Sequence, residues 1–180
     1  IPVLIEKPLS HNMDNINKLL EYKNVIHVGY QLKYSKLFKK LIDLLPNIGK
    51  INLIKINTGQ YLPSWRCNDY RNCVSAQKKL GGGVLLELSH EIDYLLTILK
   101  NEPTHKNIIK EKLSDLDIDV EDTSIITLKF NNIIALISID MINKRKNRTC
   151  EIIGSDATIL LDFIENKIGL YDDNNPQIFN

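Results

Sequence analysis

The chain has 180 residues, 43% of them hydrophobic and 25% charged, with a formal net charge of +1. That is the size and balance of one ordinary globular domain. A near-neutral chain carries no strong field to draw nucleic acid or an anionic membrane, and the longest apolar runs, such as "NIIALISIDMI", are too short to span a bilayer.

In chain order, "VLIE" predicts a short buried strand ended by Lys7-Pro8, because proline cannot continue a central strand. "SHNMDNINKLLEY" predicts a helix with Ser10 or Asn12 as N-cap and Ile16, Leu19 and Leu20 as its apolar stripe. "VIHVGYQL" reads as the next strand. "SKLFKKLIDLL" predicts an amphipathic helix, with Leu37, Leu41 and Leu44 on one face and Lys36, Lys39 and Lys40 on the other, stopped by Pro46 and Gly49. "KINLIKINTGQYL" alternates and is rich in β-branched residues, so it predicts a strand. Residues 62–80 have no period and hold the only tryptophan, two arginines and a tyrosine, the composition of a functional loop. Three glycines then lead into a helix from about Val84 to Leu99, with Pro103 beyond it.

Residues 101–119 are polar and irregular, with room for one more edge strand. "TSIITLKF", "IIALISIDMI", "RTCEIIG", "ATILLDF" and "KIGLYD" read as an antiparallel meander. Its turns are Asn131-Asn132, Gly154-Ser155-Asp156 and Glu165-Asn166. The pattern predicts an α+β fold: a large open, mostly antiparallel sheet with helices packed on one face. Cys67, Cys73 and Cys150 make an odd count without zinc-like spacing, so free thiols and a reducing cytoplasm are expected. The chain begins at Ile1 inside a strand-like run and no signal peptide opens it, so a piece of a longer cytoplasmic protein is expected.

Chemistry concentrates in "GGGVLLELSHEIDY". Glu87, His90 and Asp93 are spaced by three, a neighbour distance on a helix. A histidine between two carboxylates is expected to hold its proton more tightly and to have one ring nitrogen oriented, as a general acid/base needs. The plainer alternatives are a solvated helix edge or a satisfied core histidine. The glycine run would allow a ligand close approach at a helix N-terminus that favours an anion, or form a tight turn and nothing more. Lys7, at a strand end, could hold a hydroxyl or carbonyl oxygen, or be a surface lysine. His90, Glu87 and Glu91 lack a second histidine at i+4, so no metal is expected. "NKRKNR", residues 143–148, has no interleaved aromatics and reads as a solvated hairpin turn.

Together, "IPVLIEKPLS", "YLPSWR", "DYR" and "GGGVLLELSHEIDYLL" resemble the Gfo/Idh/MocA family of NAD(P)-dependent sugar oxidoreductases. The likeness extends through "GYQLKYSKLFKKLIDLLPNIGKI" and "EIIGSDATILLD" to nearly the whole chain. The family pairs a Rossmann domain with a C-terminal substrate and oligomerisation domain. This sequence has no GxGxxG turn, so the resemblance implies residues 1–9 as the last strand and EKP segment of a Rossmann domain and residues 10–180 as the C-terminal domain.

It implies hydride transfer to or from a sugar or nucleotide-sugar, with NAD or NADP as cofactor and a homodimer or homotetramer as the assembly. Neither nucleic acid nor membrane is an expected partner. Lys7 would lie between the nicotinamide and the substrate hydroxyl, with Glu6 and Pro8 beside the cofactor and Pro8 often cis. His90 would be the acid/base. Glu87 matches an upstream catalytic carboxylate, although it stands three residues from the histidine where many members have four. Asp93 would orient His90 or cap local structure at the substrate site. Trp65, Arg66, Tyr70 and Arg71 would bind the sugar, with Tyr30 and Lys33 lining the same pocket. The alternative is a cofactor-less binding or oligomerisation module.

Overall fold

The computed structural model describes residues 1–14, 16–65, 69–173 and 176–179. Two sheets of different size organise them. In the first, β1 (Val3–Ile5) runs parallel to β2 (Ile26–Val28), with Leu4 opposite His27. The helix between them, α1 (Ile16–Leu20), is shorter than predicted, and neither proposed cap sits at its start. Ser10 Oγ accepts from the Asn12 N–H and Asn12 Oδ1 from the Asp14 N–H, so both side chains shape turns upstream of the helix.

β2 ends at Val28, and a 3-10 turn (Gln31–Tyr34) follows where the sequence reads as continuing strand. Ser35 then caps α2 (Lys36–Leu44) by accepting from the Phe38 N–H. Leu37, Leu41 and Leu44 are buried as predicted, joined by Phe38. Pro46 sits in a second 3-10 turn (Leu45–Ile48), and Gly49 ends it at φ 67°.

The second sheet contains β3 (Ile51–Gly59), β4 (His105–Glu111), β5 (Thr123–Phe130), β6 (Ile133–Asp140), β7 (Asn147–Gly154), β8 (Thr158–Asp162), β9 (Lys167–Tyr171) and β10 (Gln177–Phe179). Their order is β10-β9-β8-β7-β3-β6-β5-β4, so β4 is the edge strand foreseen in residues 101–119. The meander is interrupted. β3 lies between β6 and β7, parallel to the first and antiparallel to the second. Its alternating apolar run buries Ile54 and Ile56, and a strand that deep needs ladder partners along both edges. Residues 143–148 therefore cross over β3 instead of turning a hairpin. The other predicted turns hold, with Asn131 and Asn166 in the left-handed region at φ 52° and 53°.

One register line explains the core. Ile126, Ile137, Ile56, Cys150, Leu161 and Ile168 stand opposite one another on consecutive strands, each at most 2% exposed. Each aliphatic side chain buried in that row contributes about 1.5–3 kcal/mol. Cys150 is accordingly a core residue, and its burial pushes the thiol up to about 12. α2 covers β8 and β9 on this inner face. The outer face carries the alternate residues and is uncovered.

Candidate functional site

The helix predicted over 84–99 is two helices, α3 (Val84–Glu87) and α4 (His90–Leu99). The break lies at Leu88, whose φ −103° and ψ 33° leave the helical region, and at Ser89, whose hydroxyl donates to the Leu86 carbonyl. His90 therefore opens a new helix. The buried side of α4 carries His90, Glu91, Tyr94, Leu95, Ile98 and Leu99, the stripe a 3.6-residue period produces.

The break separates Glu87 from the other two members of the predicted trio. Glu87 faces Lys7, whose Nζ donates to the Glu87 carbonyl oxygen at 2.6 Å and lies 3.5 Å from its carboxylate. Asp93 pairs with Lys33 at 3.0 Å. His90 meets neither carboxylate among the described residues. Its ring instead packs edge-on against Tyr30 at 5.4 Å, and Tyr30 places its hydroxyl 3.4 Å from Ser89 Oγ. His90 is 5% exposed and its Nδ1 has no partner among the described residues. The expectation of a tightened proton is overturned: burial, followed by the positive charges of Arg148 and Lys7, brings His90 down to about 4. The imidazole is neutral at neutral pH.

Lys7 arrives from the other end of the chain, past the carboxyl end of β1, and its bond to Pro8 is cis. Beyond the ends of β1 and β2 lies a cleft of about 430 Å³ lined by Leu4, Glu6, His27, Gly29, Tyr30 and Tyr34. Gly29 lies close to Glu6: a Cβ there would stand 3.1 Å from the Glu6 carboxylate. The carboxyl ends of parallel strands are where open α/β sheets receive ligands.

The glycine run does not admit a ligand, because the protein's own backbone and side chains fill the approach. A Cβ on Gly82 would come within 2.3 Å of the Val74 carbonyl oxygen. Gly83, at φ 111°, donates its N–H to Ser75 O. The start of α3 is met by Glu121, whose carbonyl accepts from the Val84 N–H and whose carboxylate accepts from the Leu85 N–H.

The loop after β3 forms a cavity of its own, about 210 Å³, with Leu62, Trp65, Asp69, Tyr70, Cys73 and Ser75 among its walls. Trp65 Nε1 donates to the Gln60 carbonyl, the Tyr70 hydroxyl accepts from the Asp117 N–H, and exposed Arg71 pairs with Asp69 at 2.7 Å. Among the described residues no hydrogen bond, ion pair or ring contact joins these side chains to Lys7, Glu87 or His90. Arg66 and Cys67 lie outside the described residues.

The pairing of Glu91 with Arg148 is not legible in the sequence. Glu91, wholly buried, accepts from Thr58 Oγ1 at 2.9 Å and from Arg148 Nε at 2.8 Å. The 3.6-residue stripe of α4 could have placed Glu91 inside, but its arginine is 57 residues away. Among the described residues no group of three or more histidines, cysteines or carboxylates is disposed to hold a metal. No helix among them is long and apolar enough to cross a membrane.

No curated protein matched the sequence. Among solved structures, an inositol dehydrogenase homolog from Azotobacter vinelandii complexed with NAD+ matches with a TM-score of 0.84 and 16% identity, over 100% of this chain and 51% of that one. An inositol dehydrogenase homolog from the same organism complexed with NADH and myo-inositol matches at 0.80 and 16%, over 100% and 50%. UDP-N-acetylglucosamine 3-dehydrogenase GnnA from Acidithiobacillus ferrooxidans matches at 0.77 and 15%, over 98% and 55%. At these identities the likeness is one of fold, and the chain spans about half the length of those structures. The model of the GFO/IDH/MocA C-terminal domain matches residues 39–160, well over half of the sequence. The chain therefore belongs to the Gfo/Idh/MocA family of oxidoreductases, whose C-terminal domain it carries.

Proposed function

We propose that the chain is the substrate half of an NAD(P)-dependent oxidoreductase acting on a carbinol or carbonyl of a sugar or nucleotide-sugar, with residues 1–9 completing a dinucleotide-binding domain. The observation that carries the reading is the meeting of Lys7 with Glu87, three residues before His90, across 80 residues of chain. The cleft at the carboxyl ends of β1 and β2, with Glu6 in its wall, fits the nicotinamide end of a dinucleotide, and Lys7 and Pro8 follow Glu6 in the chain. When bound, the nicotinamide supplies the hydride chemistry.

The chain's own residues do the rest. A substrate hydroxyl between Lys7 Nζ and the His90 ring gives up its proton to the neutral imidazole. Lys7 stabilises the negative charge that develops on that oxygen, assistance of the oxyanion-hole type. Glu87 aims the lysine through its carbonyl and carboxylate. The imidazole takes that proton in carbinol oxidation and, once protonated, returns it in carbonyl reduction. Tyr30 supports the His90 ring from one side.

The test joins this chain to its dinucleotide-binding domain and follows reduced nicotinamide with NAD or NADP over myo-inositol, hexoses and UDP-sugars. Oxidation of one of these that Lys7→Met abolishes supports the reading. No turnover on any of them favours a binding module. Self-association through the outer sheet face belongs to the same proposal. Ile109, Ile125, Ile134, Leu136, Leu160 and Ile178 share that face, each 36% to 60% exposed. These side chains flank the Lys55–Glu151 pair, which stands between Leu136 and Leu160, and a second copy presenting the same face would cover them.

A further inference from the structure

We propose that Arg148 is a specificity-determining residue that receives an oxyanion of the substrate, so that the sugar carries a phosphate or a carboxylate. This rests on the sugar-oxidoreductase reading and narrows it. Arg148 is the second residue of β7. Its Nε donates to Glu91 Oε1, and that buried oxygen is itself held by the Thr58 hydroxyl, so one anchored carboxylate holds the guanidinium. Its two terminal nitrogens have no acceptor among the described residues. They belong to a side chain 22% exposed at the wall of a cleft of about 370 Å³. Gln60, Leu88, Lys146 and Phe163 line the same cleft.

The chemistry of that wall is one-sided. It presents two cations, Arg148 and Lys146, together with the amides of Gln60, Asn147 and Asn166, and no carboxylate. Asn147 Oδ1 is buried without a partner among the described residues. The cleft shares Ser35, Leu37 and Asn166 with an adjoining one of about 540 Å³, whose walls add Lys36 and Lys40 and again no acid. Leu88, in the wall, is two residues before His90, and Glu91, behind it, is the next residue after His90. An arginine oriented by a buried carboxylate and left with its terminal donors unsatisfied matches a planar or tetrahedral oxyanion, which it can hold by two parallel charge-assisted bonds. A neutral sugar hydroxyl would use one of those donors and none of the charge.

The experiment is a calorimetric titration of the full chain with glucose, glucuronate, glucose 1-phosphate, UDP-glucose and inorganic phosphate. Wild type is compared with R148K and with the paired Glu91→Gln/Arg148→Gln variant. Lysine keeps the partner for Glu91 but cannot serve it and a ligand together, and the amide pair removes both charges at once. Circular dichroism confirms that each variant folds. An anionic sugar should bind more tightly than glucose by about tenfold or more, the worth of a charge-assisted hydrogen bond, and both variants should erase that preference. Preference for glucuronate identifies a carboxylate, and preference for glucose 1-phosphate or UDP-glucose a phosphate. Equal binding of glucose, or a preference that survives in both variants, overturns the inference while leaving the sugar reading intact. Arg148-dependent binding of inorganic phosphate with no sugar bound would keep the anion site and reject the sugar reading. No binding by any of the five overturns the inference.

Discussion

Replacing Arg148 by leucine should be among the most damaging single changes in the chain, and more damaging than replacing its partner. Glu91 is wholly buried and Arg148 is 22% exposed. Without the arginine, a carboxylate is left in the core with the Thr58 hydroxyl as its remaining partner. Removing one member of a buried ion pair costs about 3–5 kcal/mol, a large share of the roughly 5–15 kcal/mol that holds a domain together. In the Glu91→Leu variant Arg148 can swing toward its cleft and water, and the buried loss is the acceptor of Thr58, about 1–3 kcal/mol. Urea unfolding followed by circular dichroism reads the difference. With a slope of about 2 kcal/mol per molar, Arg148→Leu lowers the midpoint by about 2 M and Glu91→Leu by about 1 M. The Glu91→Leu/Arg148→Leu double variant should recover much of the loss, because two apolar groups replace a pair that was costly to bury. A midpoint for Arg148→Leu within about 0.3 M of wild type, or a larger loss for Glu91→Leu, would refute this reasoning.

Three further outcomes follow from the same geometry. His90 has a depressed pKa in the fold, so the unfolded chain binds more protons between pH 6.5 and about 4, and stability falls as pH drops through that window. His90→Asn should flatten that part of the stability–pH curve, and an unchanged slope would show that His90 is not the group responsible. Gly82→Ala places a Cβ within 2.3 Å of the Val74 carbonyl oxygen and should cost about 1–3 kcal/mol in thermal unfolding, whereas tolerance would mean that the loop yields freely. Leu136→Glu with Leu160→Glu should leave the fold intact and turn an associated protein monomeric by sedimentation, and an assembly that survives would place the interface elsewhere.

Much of this fold is written in local pattern. β5 and β6 alternate cleanly, and α2 shows its stripe, because one side of each faces a core and the other does not. The placement of β3 between β6 and β7 is not local, since it depends on pairing strands that are far apart in sequence. β10 is three residues long and carries too short a pattern to read. At the site, Lys7 and His90 were visible as members of a recognisable motif set, but their surroundings were misjudged. The spacing of Glu87 and His90 assumes an unbroken helix, and the break at Leu88 and Ser89 leaves Glu87 with Lys7, while Asp93, on the same helix as His90, pairs with Lys33. The glycines were correctly seen as points of close approach, although what approaches is the Val74–Ser75 backbone and the Glu121 side chain. Arg148 was read as one of several basic residues in a turn. Only the crossover above β3 brings it to Glu91.

The most direct measurement is the turnover of His90→Asn in the protein that joins this chain to its dinucleotide-binding domain, on whichever sugar the wild type oxidises, with cofactor affinity measured alongside. Loss of general-base assistance should lower kcat by about a hundredfold or more while the cofactor's dissociation constant stays within a factor of about two. A variant that turns over at nearly the wild-type rate would remove His90 from the chemistry, and with it the proposal that His90 and the Glu87-held Lys7 form the reacting centre.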